Sequence, residues 1–381
     1  MSAQRQASSA SVTSHISPAE LSYLYTSLSL PGTPIRPDGR SPTQFRPLSA
    51  ETDILPGTNG SARVGFADGT QAVVGVKAEV ERTVLGPGQG FTDGEGKDKG
   101  SVEGQGSWVQ MAIEIPGFRD DDALPVFLSE MMREPLVESV SGADAADGEG
   151  MVGGLKGRLV INRRWHWRLY IDVLLLSQPL SYPLPLLSLT THLALLATKL
   201  PKLKSKGEED PFFDDDWNAA EYLYPRTKPT PNIRGSISAS TNVHKVRPPV
   251  TLLVISVSQN IIFDPTREEI AVADAVLALS ITHDTASGRL KLLSIRTIDP
   301  PSRLTQPGVP NSENVATVGN TAVAEESAIL NPSTGEEEVP GVWRPRRGGV
   351  KRGTIARMVK MVIERGGVGE EVLEGLEGVE T

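Results

Sequence analysis

The sequence contains no cysteine and few aromatic residues. The absence of cysteine excludes a disulfide framework, a thiolate metal site and a cysteine nucleophile, and it fits a reducing compartment. Aromatic residues make up only 5% of the 381 residues. This aromatic content is low.

The sequence also lacks an excess of positive charge and a long uninterrupted apolar run. The formal net charge of −9 argues against a uniformly basic nucleic-acid-binding surface, so any such surface has to be local. The most apolar region, 169–200, is broken by Pro179, Pro183 and Pro185. Neither flank reaches the length of a membrane-spanning helix. We therefore expect no membrane partner.

Glycine and proline are abundant instead, with 37 and 29 residues, and they predict long loops. The loops concentrate in segments whose polar composition predicts disorder. A Ser-rich stretch at the N-terminus and a Glu-rich stretch at the C-terminus have a similar character. The four internal segments are 86–106, 141–154, 205–248 and 304–345.

Alternating apolar residues predict strands in the rest of the chain. Two strands flank the turn Asp68-Gly69, because that dipeptide favours tight turns. Further strands are predicted at 108–115, 165–176, 250–258, 275–282 and 289–298.

Apolar residues at intervals of three and four predict three helices. A stripe at Leu124, Phe127, Leu128 and Met131 predicts one that Pro135 ends or kinks. Leucines following Pro185 predict a buried second helix. The third helix is amphipathic, with Thr354 as its N-cap and Gly366 just past its end; its apolar positions are Ile355, Met358, Val359, Val362 and Ile363.

The stretch IRPDGRSPTQFRP at 35–47 holds three arginines in thirteen residues. Its prolines and the Asp38-Gly39 pair predict a stiff, extended segment that presents Arg36, Arg40 and Arg46. The plainest interpretation is a surface turn whose arginines pair with nearby carboxylates. A phosphate-handling role is the alternative.

The order of these motifs resembles the RNase PH family. The motifs are IRPDGR, the NGSARVGFADGT hairpin, LVINRRWHWRLYIDVLLL with its leucine helix, and FDPTREEIAVADAVLALSI. Within the family, the chain is most similar to ring subunits of the eukaryotic RNA exosome. The similarity covers about 18–85, 107–204 and 249–303, with the helix at 351–365 as the closing element.

The resemblance implies an α+β, RNase PH-like fold with two βαβ-type halves of the ribosomal protein S5 domain 2 class and long disordered insertions. It implies an N-terminal arm at 1–34 and an acidic tail at 367–381. The first half spans 35–204 and the second 249–366, separated by the acidic and polar insertion at 205–248. The arginines of 35–47 then become structural or interfacial.

Active members of the family use inorganic phosphate to cleave RNA from its 3′ end. They hold phosphate in a Gly- and Arg-containing loop between a strand and a helix. The corresponding loop here, SQPLSYPLP at 177–185, has no Gly, Arg or Lys, and its three prolines lack an N–H. Active members also carry two aspartates six residues apart. Glu268 and Asp274 have this spacing, beside Asp264 and Glu269, and we favour plain helix-terminal, solvated charge over catalysis.

The remaining candidate site residues are Arg133, the histidines and a basic segment. Arg133 lies where the resemblance implies a channel arginine that contacts RNA. The five histidines show no metal-ligand spacing, so we expect no metal site. The basic segment WRPRRGGVKR at 343–352 is compatible with RNA contact, with nuclear import or with a solvated surface.

We predict a non-catalytic structural subunit of the exosome ring, with no catalytic residue and no cofactor. It acts in the nucleus, including the nucleolus, and in the cytoplasm. The implied partners are other RNase PH-like ring subunits, S1/KH cap subunits and RNA in the central channel. The alternatives are an active phosphorolytic exoribonuclease, a different non-catalytic ring paralogue and a free-standing RNA-binding protein, which the acidic balance disfavours.

Overall fold

A computed structural model describes residues 16–84, 104–137, 140–141, 151–152, 154–205, 207, 209–224, 247–284, 289–298, 329–330, 337–338 and 350–380. The chain divides into two units. One contains Met1–Phe45, Val254–Leu277 and Thr297–Ala356, and the other contains Arg46–Leu253, Ala278–Arg296 and Arg357–Thr381. No helix within these described ranges is long and apolar enough to cross a membrane.

The strands, in chain order, are β1 (Leu48–Thr52), β2 (Gly60–Phe66), β3 (Gln71–Arg82), β4 (Val109–Glu114), β5 (Val140–Ser141), β6 (Met151–Val152), β7 (Trp165–Leu175), β8 (Lys199–Leu200), β9 (Glu221–Tyr222), β10 (Val250–Val257), β11 (Asn260–Phe263), β12 (Ala275–Asp284), β13 (Arg289–Ile298), β14 (Ile329–Leu330) and β15 (Glu337–Glu338). The helices are α1 (Pro18–Leu28), α2 (Ala123–Val137), α3 (Leu155–Arg158), α4 (Leu184–Ala197), α5 (Arg267–Ala271), α6 (Arg352–Ile363) and α7 (Val368–Glu377).

The larger sheet has the order β1-β2-β3-β7-β4. Strands β2 and β3 form the predicted hairpin around Asp68-Gly69, and Gly69 adopts the left-handed φ of +88° that the turn requires. Strand β7 pairs antiparallel with β3 and parallel with β4. The parallel pair needs a crossover, and α2 lies in that connection and packs on β4.

The core of this unit lies between the sheet and α4. Every residue of α4 is buried, as the leucine spacing predicts, and the helix packs on β2 and β3. The inward face of β7 has the predicted alternation. Trp167 is 8% exposed, and the aliphatic residues that follow are more deeply buried, at Leu169, Ile171, Val173 and Leu175.

Helix α2 extends slightly past its predicted end. Pro135 lies inside the helix, which ends two residues later at Val137. Proline has no N–H to donate to the carbonyl four residues earlier, so the helix lacks one hydrogen bond in its last turn. The buried face is also rotated, because Met132 and Leu136 are buried while Phe127 is 45% exposed.

A four-stranded sheet has the order β11-β10-β12-β13. All eight residues of β10 are buried, which explains its continuous apolar run. The three predicted strands correspond to β10, β12 and β13, and β11 is an additional short strand. Together with the helices, the two sheets form the predicted α+β class.

The C-terminal segment 367–381 is not merely an acidic tail, since most of it forms α7. Val368, Leu373 and Leu376 are buried, while the glutamates occupy the other face. An amphipathic helix with sparse apolar residues has a low average hydropathy, which made the segment look like a tail. Helix α6 ends before Gly366, with φ of +71°, as predicted, but it begins at Arg352, ahead of the expected cap Thr354.

The segment 205–248 was predicted to be a disordered insertion, and its described first part is folded instead. Strand β9 pairs with β8, Leu203 forms a bridge with Phe213, and Tyr224 is fully buried. Most of the insertions 86–106, 141–154 and 304–345 lie outside the described residues. The short pairs β5–β6 and β14–β15 are their described parts, together with residues 104–106 and 154.

The N-terminal arm contains helix α1, which the sequence analysis did not identify. Ser17 caps it by accepting a hydrogen bond from the Glu20 backbone N–H, and Leu21, Leu24 and Leu28 are buried. Asn260 donates to the backbone oxygens of Leu28 and Leu30, so the end of the helix is fixed within its unit.

Candidate functional site

The loop between β7 and α4 is the segment for which the resemblance to the RNase PH family implies a comparison with the phosphate-binding loop of active members. It runs from Leu176 to Pro183, and α4 begins at Leu184 without a side-chain cap. A phosphate at this helix end would need exposed backbone donors. Pro183 and Pro185 have no N–H, while Leu184 and Leu186 are 0% and 3% exposed. The start of α4 is therefore unsuited to holding an anion.

One cation does reach this loop, which the sequence analysis missed. Arg46 donates to Ser181 Oγ (2.8 Å) and to Asp68 Oδ2 (2.7 Å), and its guanidinium lies 4.3 Å from the centre of the Phe66 ring. No local pattern indicates this contact, since 135 positions separate Arg46 from Ser181.

The charge of Arg46 is already balanced by Asp68. Burial raises the pKa of Asp68, but hydrogen bonds from Thr70 and the charge of Arg46 outweigh burial, so the pKa lies below its ordinary value. A carboxylate that stays ionised beside the guanidinium opposes the binding of a phosphate there. Arg46 thus holds the loop through Ser181, and its pairing with Asp68 leaves it unsuited to bind phosphate.

The other two arginines of the 35–47 stretch are structural. Arg36 is buried, and its Nε and Nη2 donate to the two carboxylate oxygens of Glu269 at 2.7 and 2.9 Å. Its remaining donors reach the backbone oxygens of Ser41, Phe263 and Asp264. This is a bidentate, fully hydrogen-bonded arrangement of the kind a buried guanidinium needs.

Arg40 completes this cluster. Its Nη1 lies 2.8 Å from Asp264 Oδ2, and its Nε lies 2.6 Å from Asp38 Oδ2. Asp264 has a φ of +45°, which Asp tolerates better than most residues. The pairing of these arginines with carboxylates agrees with the plainest interpretation of the stretch, although Arg36 and its partner are buried rather than at the surface.

The candidate carboxylates of α5 and its flanks have structural partners. Glu269 is buried and forms a capping box with Thr266 at the start of α5, besides binding Arg36. The sequence predicted solvated charge for this group, and Glu269 departs from that prediction because it is buried. Asp274 Oδ2 accepts the backbone N–H of Ser258 at 2.6 Å. Glu268 is half-buried in the first turn of α5.

Arg133, the predicted RNA contact, lies near the end of α2. Its Nε and Nη2 donate to the carboxylate of Glu130 (2.9 and 2.7 Å), and its Nη1 donates to the backbone oxygen of Gly106 (2.9 Å). The hydrogen bond to Glu130 raises the pKa of Arg133, against burial. The side chain keeps 27% of its surface exposed. Within the part of the chain that the structure describes, these contacts use three of its five N–H groups.

The histidines that the structure describes do not form a metal site. Among the described residues, no group of three or more His, Asp or Glu side chains is placed to hold a metal ion. His192 is buried in α4, and its Nδ1 lies 2.8 Å from the Pro248 backbone oxygen. His166 stacks on Trp108, with 4.0 Å between ring centres. His15, His244 and most of the basic segment 343–352 lie outside the described residues.

Curated relatives identify the family. The chain is 31% identical to exosome complex component RRP42 of Saccharomyces cerevisiae over 266 residues, covering 70% of this chain and 81% of the relative. It is 34% identical to rrp42 of Schizosaccharomyces pombe over 269 residues, covering 69% and 77%. The chain belongs to the Rrp42 family of exosome complex components. This confirms the predicted family, although no family model matches the chain.

More distant similarities involve archaeal proteins. Exosome component Rrp42 of Methanocella arvoryzae is 31% identical over 175 residues, which cover 46% of this chain and 59% of that protein. Among solved structures, an Archaeoglobus fulgidus exosome chain with RNA bound to the active site covers 73% of this chain and 86% of its own length, with 21% identity and a TM-score of 0.45. At that TM-score the structural likeness adds no argument, and the Rrp42 assignment rests on the curated relatives.

Proposed function

We propose that this Rrp42 family member is a non-catalytic subunit of the exosome ring that lines part of the RNA channel. In this role it supports 3′-to-5′ RNA processing and degradation, including that of ribosomal RNA. Its partners are other RNase PH-like ring subunits, S1/KH cap subunits and RNA. It acts in the nucleus, including the nucleolus, and in the cytoplasm.

The observation that carries the non-catalytic assignment is the loop before α4. Phosphorolysis needs a phosphate dianion held by preorganised donors. Here Pro183 precedes α4, its first turn contains Pro185 and two buried leucines, and the adjacent Arg46 is neutralised by Asp68. Loss of even one such donor costs about a hundredfold in rate or more.

Two of the acidic residues near α5, Glu269 and Asp264, support the same conclusion. An acid or metal-binding carboxylate has to be free to face the substrate. Glu269 is held by Arg36 and the capping box, and Asp264 is held by Arg40. Their role in this chain is to fix the 35–47 segment to the start of α5.

The surface arginine Arg133 supports a contact with RNA in the channel. It keeps 27% of its side-chain surface exposed, its charge is maintained, and two of its N–H groups are not engaged by Glu130 or Gly106. An arginine of this kind suits a phosphate of the RNA backbone, which accepts hydrogen bonds and carries negative charge.

Phosphorolysis can be tested directly. The purified chain, alone and co-purified with an RNase PH-like ring subunit, is incubated with single-stranded RNA in phosphate buffer, beside an active RNase PH-type enzyme as positive control. We expect no nucleoside diphosphate from the chain alone. We also expect the Asp274→Asn variant, which keeps an oxygen acceptor for Ser258, to change nothing in the complex.

The opposite result would support the alternative that the chain is an active phosphorolytic exoribonuclease. Phosphate-dependent diphosphate release that disappears with Asp274→Asn, while thermal unfolding stays as in the unsubstituted chain, contradicts the non-catalytic assignment. Failure of the chain to co-purify with any RNase PH-like subunit contradicts the ring assignment separately.

A further inference from the structure

The described residues from Lys199 to Tyr224 form a hairpin, which we call the acidic arm. Strands β8 and β9 close its base. Further out, the Lys204 N–H donates to the Phe212 backbone oxygen (2.8 Å), and the Asp214 N–H donates to that of Lys202 (2.9 Å). The arm is therefore an ordered element with its own backbone hydrogen bonds, and not a flexible loop.

The arm is also anchored to the unit that contains the larger sheet. The ring of Phe213 lies 5.0 Å from the ring of Trp167, and Trp165 Nε1 donates to Asp210 Oδ1 at 3.1 Å. At the base, Leu223 is 5% exposed and Tyr224 is fully buried. These contacts hold the arm in a fixed position, so the side chains on its outer surface are presented in a defined arrangement.

Two aromatic side chains on the arm face solvent despite this anchoring. Phe212 is 64% exposed and Trp217 is 50% exposed, while the neighbouring Phe213 packs inward. Aromatic residues make up only 5% of the sequence, so two exposed rings on one short element are unusual here. Exposed aromatic side chains on an ordered element are typical of the centres of protein interfaces.

The charge around these rings selects the kind of partner. Asp215 and Asp216 precede Trp217 and are exposed, and Glu209 and Asp210 are exposed before Phe212. Among the basic residues of the arm, Lys204 is bound to Asp214 at 3.0 Å. Carboxylates at this density repel the phosphates of RNA. They attract guanidinium groups, which also stack on indole rings.

We propose that the acidic arm is a docking surface for an arginine-containing segment of another protein. Trp217 is the stacking platform for a guanidinium, and Asp215 is the carboxylate that pairs with it. The proposal does not depend on the ring function, because it uses only contacts within the arm and the residues beneath it.

The test uses the full chain and a defined probe. A fluorescein-labelled peptide of four alternating Arg-Leu pairs is titrated by fluorescence anisotropy, beside the same peptide with Glu in place of Arg. The variants are Trp217→Ser and Asp215→Lys. Tyr23→Ser is the matched control, because Tyr23 is also an exposed ring, at 73%, and belongs to the other unit. Thermal unfolding of each variant checks its fold.

We expect the arginine peptide to bind at least tenfold more tightly than the glutamate peptide. Trp217→Ser and Asp215→Lys each weaken its binding about tenfold, the effect of losing one central contact. Tyr23→Ser leaves it unchanged. Should Trp217→Ser lower the thermal stability, Asp215→Lys decides the matter, because its side chain is exposed.

Three results would overturn the proposal. The first is arginine-peptide binding that neither arm variant weakens. The second is an affinity for oligouridine RNA that falls with Trp217→Ser, which would make the arm an RNA surface. The third is a dimer of the chain that Trp217→Ser dissociates in light scattering, which would make a second copy the occupant.

Discussion

Two arginine–glutamate pairs in this protein have the same bidentate geometry and different surroundings. Arg36 and Glu269 are 233 positions apart, and both side chains are fully buried. Arg133 and Glu130 are one helical turn apart, with 27% and 62% of their side-chain surface exposed. The first pair joins distant parts of the chain, and the second lies on the surface of α2.

The difference shows that geometry alone does not determine what a pair contributes. A buried charge whose partner is removed costs about 3–5 kcal/mol, because the remaining charge has no water. An exposed pair contributes about 0–1 kcal/mol, because water and salt replace the partner. The buried pair is therefore structural, whereas the exposed arginine can exchange its glutamate for a phosphate at little cost.

The largest expected effect comes from breaking the buried pair. Arg36→Ala leaves Glu269 buried without its cation, and we expect the free energy of unfolding to fall by about 3–5 kcal/mol. Denaturant unfolding followed by circular dichroism measures this loss. The double variant Arg36→Met with Glu269→Gln removes both charges and keeps the α5 cap, so it should recover most of the loss. A single variant that loses less than about 1 kcal/mol would contradict this account.

His192 is a buried ionisable residue that forms no ion pair with any described residue, so it shows the effect of burial on a pKa without that of pairing. Burial lowers the pKa of His192 to about 4. An unfolded histidine has a pKa of about 6.5, so below that pH the unfolded state binds a proton that the folded state does not. The free energy of unfolding therefore decreases as the pH is lowered from about 6.5 to about 4, and at pH 5 the loss is about 2 kcal/mol.

Unfolding experiments at pH 7 and pH 5 measure this dependence. His192→Asn keeps a donor near the position of Nδ1, which lies 2.8 Å from the Pro248 backbone oxygen, and it does not titrate. We expect a shallower pH dependence in this variant than in the unsubstituted chain. Equal pH dependence in the two proteins would show that His192 is not the group responsible.

The smallest effect on stability is expected at Arg133. Arg133→Glu changes the free energy of unfolding by less than about 1 kcal/mol, because water reaches the pair that it breaks. In the assembled ring it should weaken RNA binding and reduce the salt slope by about 1, because one phosphate contact is lost. Filter binding over a range of salt concentrations measures both quantities.

Glu130→Gln is the control for Arg133→Glu. It breaks the same pair but leaves the arginine, so RNA binding should stay the same or become tighter. If Arg133→Glu lowers stability as strongly as Arg36→Ala, or leaves RNA binding and its salt slope unchanged, the comparison of the two pairs fails.

Much of the fold was predictable because its signals are local. The hairpin at Asp68-Gly69, the alternation of β7 and the leucine spacing of α4 depend on residues a few positions apart. The acidic arm and α7 were missed for the converse reason. Their composition is polar. Only the tertiary structure shows that Phe213, Tyr224 and Leu376 pack against other parts of the chain.

The sequence by itself determined the absence of thiol chemistry, the strand and helix periods, and a loop before α4 that has neither glycine nor a cation. Only the tertiary structure decided which carboxylate each arginine meets. Arg46 reaches Ser181 and Asp68, and Arg36 reaches Glu269 across 233 positions. Such pairs are set by the packing of distant segments, whereas periodicity and composition report only on neighbours along the chain.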